Sequence, residues 1–134
     1  MSIEDPAPGA EAARTCAALV DALPSSVDGA QRRDVEPAGV AAAAWGDPAI
    51  VLRCGVRRPD GLDEFATCQE ANGVGWYVPE EQITGSPLPL TITTVDREVY
   101  VEVSLPEESW PPANAMVDLA AAIKQTVPQT SPCV

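Results

Sequence analysis

Residues 90–106 read LTITTVDREVYVEVSLP, and this run constrains the fold more than any other part of the chain. Val99, Val101, Val103 and Leu105 alternate with Glu98, Tyr100, Glu102 and Ser104, a period of two that suits a strand with one buried face. Asp96-Arg97 is short enough to turn the chain, so 90–95 is expected to pair with 98–105 as an antiparallel hairpin. A second apolar run, PAIVLRCGV at 48–56, places Ile50, Leu52, Cys54 and Val56 on one parity, with Val51 and Arg53 on the other. GVGWYVPE at 73–80 predicts a further short strand, closed by Pro79.

Two helices flank these strands. From about Ala10 to Leu23 the apolar positions Ala13, Cys16, Leu19, Val20 and Leu23 recur at helical spacing, and Pro24 ends the pattern. PPANAMVDLAAAIKQTVP at 111–128 opens on prolines that suit a helix start and carries the stripe Met116, Leu119, Ala120, Ile123 and Val127. Between them, SSVDGAQRRDVEPAG is polar and reads as a loop from which Val27 and Val35 can touch the core, and RRPDGLDEFATCQEANG is turn-rich. The order implies an α+β fold, a small antiparallel β-sheet with two helices packed on one face. Residues 1–9, acidic and proline-rich, read as a disordered lead-in or tether, leaving 10–134 as a single domain.

Eight cations against 20 anions give a net charge of −12, which excludes nucleic acid as a partner and disfavours an anionic lipid surface. No segment approaches the apolar length of a membrane span, and MSIEDPAPGAEAA has neither a basic nor an apolar leader region.

The four cysteines, 38, 14 and 65 residues apart along a chain without histidine, lack the short local spacing of a zinc site. A Cys-His nucleophile is equally ruled out, and Arg53 points away from Cys54 on the strand. Two disulfides remain, bracing a core of small side chains. Three pairings are possible, and loop entropy separates them too little to choose. Cys16 lies on the buried stripe of the first helix and Cys54 on the inward parity of a strand, which favours Cys16–Cys54 with Cys68–Cys133; Cys54–Cys68 is the runner-up. Disulfides call for an oxidising compartment, so the chain is expected to be an ectodomain of a longer gene product that carries an N-terminal anchor.

The blocks CAALVDALP, AWGDPAIVLRCGV, GVGWYVPE, TTVDREVYVEVSLP and PANAMVDLAAAI, in this order, resemble the actinobacterial DUF3515 proteins, a family of unknown function, over roughly residues 14–125. The resemblance implies a single-pass membrane protein or lipoprotein with this domain outside the cytoplasm. It includes cysteines matching Cys16 and Cys54, with Cys68 and Cys133 as extras, and it carries over no catalytic residue.

Several constellations have residue types suited to chemistry. Trp45, Trp76 and Trp110 stand near Gly or Pro and either plug the rim of the core or offer stacking platforms; the turn Trp45-Gly46-Asp47-Pro48 would present a ring and a carboxylate together. Arg53 either makes a cross-strand pair with Glu98 or Glu102 or, in a groove, holds a carboxylate or phosphate. Asp60, Asp63 and Glu64, then Glu80 and Glu81, then Glu107 and Glu108 read as solvated surface and lack an EF-hand spacing.

The function expected is therefore that of a non-catalytic binding or structural module of the cell envelope, without cofactor or metal. Its partner would be an envelope protein or wall component, and it would meet the membrane only through the anchor. The contact surface would be an open sheet face with Arg53, Glu98, Tyr100 and Glu102, rimmed by Trp45 and Trp76. The alternative is an envelope hydrolase that cleaves wall glycan through paired carboxylates.

Overall fold

The computed structural model describes residues 1–62, 68–79 and 87–131. Among these, eight strands form one antiparallel sheet, β1 (Ser26–Val27), β2 (Ala30–Arg33), β3 (Ala42–Trp45), β4 (Ile50–Val56), β5 (Cys68–Ala71), β6 (Val74–Tyr77), β7 (Leu90–Thr94) and β8 (Tyr100–Leu105). Their spatial order is β1-β2-β3-β4-β8-β7-β6-β5. Helices α1 (Ala10–Ala22) and α2 (Ala113–Thr126) pack against each other and cover one face. The α+β class, the shared helix face and the inward stripes of both helices match expectation, except that Ala13 at the start of the first stripe is exposed.

The alternating run forms the centre of the sheet. β7 and β8 pair from Leu90↔Leu105 to Thr93↔Glu102, and β8 pairs with β4 on its other side, Leu52↔Val103 and Arg53↔Glu102. The turn is longer than a dipeptide, because the tail behind α2 crosses it. Thr130 N–H donates to the Asp96 carbonyl at 2.7 Å and Glu98 N–H to the Pro128 carbonyl at 3.0 Å. Arg97 donates to the carbonyls of Val127 and Gly73, tying the end of α2 to two hairpins; burial draws the Arg97 pKa below its usual value. Glu98 thereby leaves the sheet.

Two hairpins lie where the sequence reads as loop or turn. β1 meets β2 across Asp28-Gly29 (φ +49° and +77°), and β5 meets β6 across Asn72-Gly73 (φ +50° and +87°). Paired left-handed residues give the turn the twist that flanking strands require, which is why Asp-Gly and Asn-Gly occupy it.

The helix-covered face holds the main core. Ile50, Leu52 and Cys54 of β4, Val101, Val103 and Leu105 of β8, Leu90 and Ile92 of β7 and Val74 of β6 meet Leu19 of α1 and Met116, Leu119 and Ile123 of α2. Ala115, Ala120 and Ala122 keep α2 close to the sheet, and Trp45 and Trp76 fill the space that so many small residues leave. Cys16 and Cys54 are joined where α1 crosses β4, with both sulfurs out of solvent and a Cα–Cα distance of 5.5 Å, normal for a disulfide. Cys68 is also disulfide-bonded, while Cys133 lies outside the described residues.

Residues 1–9, expected to be a disordered lead-in, are seated on the other face. Ile3 is buried with Val40, Ala42 and Ala44 in a second, smaller core. A parallel bridge, Ser2↔Glu36, fixes the arm: Ile3 N–H donates to the Glu36 carbonyl at 3.0 Å and Glu36 N–H to that of Met1 at 2.8 Å. One isoleucine with an alanine-lined socket outweighs the polar composition around it.

Candidate functional site

The two tryptophans offered as rim residues are not available for contact. Trp45 and Trp76 are 0% exposed and belong to the helix-covered core, on the side of the sheet opposite Arg53. The Trp45 indole N–H donates to the Pro24 carbonyl at 3.0 Å. That of Trp76 meets no acceptor among the described residues. Neither lies at the rim: both rings pack in the same core as Ala43 of β3 and Ala115, Ala120 and Ala122 of α2, whose small side chains leave room for them. Trp110 is half-buried against the same core. Asp47 is exposed in the β3–β4 turn beside Trp45, whose ring points into the core, so the turn does not present ring and carboxylate together.

On the uncovered face, Arg53, Glu102 and Tyr100 come together as expected. Arg53 Nη1 donates to Glu102 Oε2 at 3.1 Å across the β4–β8 register, with the two side chains 25% and 23% exposed. Glu98 takes no part. The face is half covered rather than open, because the arm crosses it and the Arg53 Nε–H donates to the Glu4 carbonyl at 3.1 Å.

Gly55 shapes what lies beyond Arg53. It adopts φ +85° in a bulge between Cys54 and Val56, which shifts the register so that Val56 pairs with Tyr100. The expected parity of Val56 is thereby reversed, and its side chain joins Arg53 on the back. A Cβ on Gly55 would stand 2.5 Å from the Pro8 Cβ, so this glycine also lets the arm pass.

Beyond the bulge a cleft of about 430 Å³ is lined by Glu4, Asp5 and Pro6 of the arm, Arg53, Val56 and Glu102 of the sheet, and Arg57 to Asp60 of the following loop. Arg58 donates through Nε and Nη2 to the Leu62 carbonyl at 3.2 and 2.7 Å, which curls the loop. Asp5 Oδ1 accepts the Ala7 N–H at 2.8 Å and turns the arm. Arg57 is exposed and makes no hydrogen bond or ion pair with a described residue. The cleft can bind polar groups of either sign, with one apolar patch at Val56. Arg57, Glu4 and Asp5 were absent from the expected site. Nothing local marks them, since the cleft forms only when the arm docks some fifty positions away from β4.

A second, shallower depression of about 740 Å³ lies at the start of α1, lined by Gly9, Glu11, Thr15, Glu98 and Thr130 among others. Of the carboxylates that the hydrolase alternative needs, Asp60, Glu107 and Glu108 are exposed, while Asp63, Glu64, Glu80 and Glu81 lie outside the described residues. Among the described residues no helix is long and apolar enough to cross a membrane.

No curated protein and no solved structure matches this chain. A family model does, that of DUF3515, described as a protein of unknown function, and it covers residues 2–132, arm included. With the blocks around Trp45, Trp76 and Val101 folded into one sheet, the chain belongs to the DUF3515 family.

Proposed function

We propose that this chain is the extracytoplasmic domain of a membrane-anchored envelope protein and acts as a non-catalytic binding or structural module through the cleft beside Arg53. The observation that supports the location is the Cys16–Cys54 crosslink, buried at the junction of α1 and β4. Such bonds persist where the surroundings are oxidising and are rare in the cytosol. Anchorage in an actinobacterial envelope follows from what the family resemblance implies.

The form of the cleft supports binding over hydrolysis. A glycan hydrolase places its general acid in a buried, apolar setting opposite a second carboxylate. Here Glu102 is paired with Arg53, and Glu4, Asp5 and Asp60 are exposed. Cells of the natural host, lysed directly into denaturant that contains an alkylating agent, provide the test. Mass measurement of the extracted protein should show no alkylated cysteine until a reductant is added. Alkylation of Cys16 or Cys54 without reductant would refute the oxidising compartment.

A further inference from the structure

We infer that the cleft beside Arg53 binds a zwitterionic ligand of the amino-acid or short-peptide class, its carboxylate on Arg57 and its ammonium on the acidic wall formed by Glu4 and Asp60. This rests on the binding-module reading above and names its ligand.

Most arginines of this chain are committed to its own framework. Arg32 donates to the carbonyls of Val20 and Leu23 at the end of α1, and Arg33 to that of Gly46. Arg97 closes the end of α2, and Arg58 curls its own loop. Arg53 is divided between Glu102 and the Glu4 carbonyl, with its Nη2 protons still to place. Arg57 differs, since it lines a concave site and makes no bond to a described residue. Its planar fork matches a carboxylate with two parallel hydrogen bonds.

The sign of the surroundings selects the ligand. Glu4, Asp5, Asp60 and Glu102 line the same cleft as the three arginines, and the whole chain carries −12. A simple anion would meet net repulsion on approach, and a simple cation would face Arg57. A molecule with both charges a few ångströms apart satisfies both walls. The volume of about 430 Å³ is at the small end for ligand sites, enough for a short peptide, with Val56, Pro6 and Pro59 as its apolar lining.

The whole domain, isotope-labelled, can be titrated with alanylalanine, with its N-acetyl form, with its C-terminal amide and with inorganic phosphate, while backbone amide shifts are followed. The dipeptide should produce saturable shifts at Val56, Arg57 and Asp60, and each capped form should bind about tenfold or more weakly. Arg57→Gln and Asp60→Asn should each lose about tenfold while leaving the amide spectrum of the sheet unchanged, since both residues are exposed. Equal binding of a capped form, tighter binding of phosphate, or no saturation up to about 10 mM would overturn the ligand class. Saturable shifts confined to another part of the surface would do the same. Loss of the capped-form discrimination removes the ligand class alone, shifts elsewhere on the surface remove the cleft as well, and the extracytoplasmic location fails separately on the alkylation outcome.

Discussion

The two faces of the sheet are built by opposite means. Under the helices, two tryptophans, a disulfide and fifteen branched side chains pack together, and among the described residues no charged side chain is buried there. On the back, one isoleucine and a set of alanines form a small dry patch; beside it Arg53 and Glu102 are left half in solvent under a nine-residue arm. β4 serves both faces at once, with Cys54 crosslinked on one and Arg53 paired on the other. A sheet stabilised almost wholly from one side leaves its other side free to carry charge. The back face can therefore vary its chemistry at little cost to folding.

The largest effect should come from cutting the brace on the helix side. Replacing both cysteines, Cys16→Ala with Cys54→Ala, reopens a loop 38 residues long. The chain-entropy estimate for such a loop is about 4 kcal/mol, and methyl groups leave no buried polar atom behind. Urea melts of the double variant should show a loss of that order with the fold retained. A loss under about 1 kcal/mol would mean that packing alone holds α1 on β4, and the contrast between the faces would weaken.

Gly55 is where the two faces meet, and its replacement should cost less. Gly55→Ala forces a side chain into φ +85° and against Pro8, next to the Cys16 sulfur. A non-glycine residue held in that region costs about 1–3 kcal/mol. The same variant should displace the arm, visible as shifted amides for Glu4 to Gly9. A stable variant with an unmoved arm would show that the bulge is not the feature that admits the arm.

Much of the helix side was legible because it is periodic. Cys16, Leu19, Met116 and Ile123 fall on helical stripes, and Val101, Val103 and Leu105 on a strand parity, so their burial and the Cys16–Cys54 pairing followed from spacing. The sequence does not mark β1, β2, β3 and β5 as strands, since two to four residues carry no measurable period and Arg32-Arg33 suggests a solvated loop. The signal was present as Asp28-Gly29 and Asn72-Gly73, dipeptides whose left-handed preference marks a hairpin. The tryptophans were misplaced for a different reason. Gly and Pro beside an aromatic suggest an edge, but Trp45 turns inward on the same side of β3 as Ala43 and fills space in a helix-covered core rich in alanine. On the back face only the Arg53–Glu102 pair was accessible to parity. The cleft needed Ile3 to find its socket, a long-range event with no local pattern.

The smallest effect should come from that socket. Truncating a core leucine or isoleucine to alanine ordinarily costs about 2–5 kcal/mol, and Leu52→Ala on the helix side should fall in this range. Ile3→Ala should cost under about 1 kcal/mol of global stability, because the arm can detach locally while the sheet and helices stay folded. Native-state hydrogen exchange separates the cases. The amides of Ile3 and Glu36, which hold the arm by the bonds described above, should exchange faster in the variant, with those of Leu52 and Val103 unchanged. Detachment also removes Glu4 and Asp5 from the cleft and releases the Arg53 Nε–H, so dipeptide binding should fall with the arm. If Ile3→Ala instead lowered global stability as much as Leu52→Ala, the arm would be part of the cooperative core. The back face would then be as constrained by folding as the front, and its charges would need a structural explanation before a functional one.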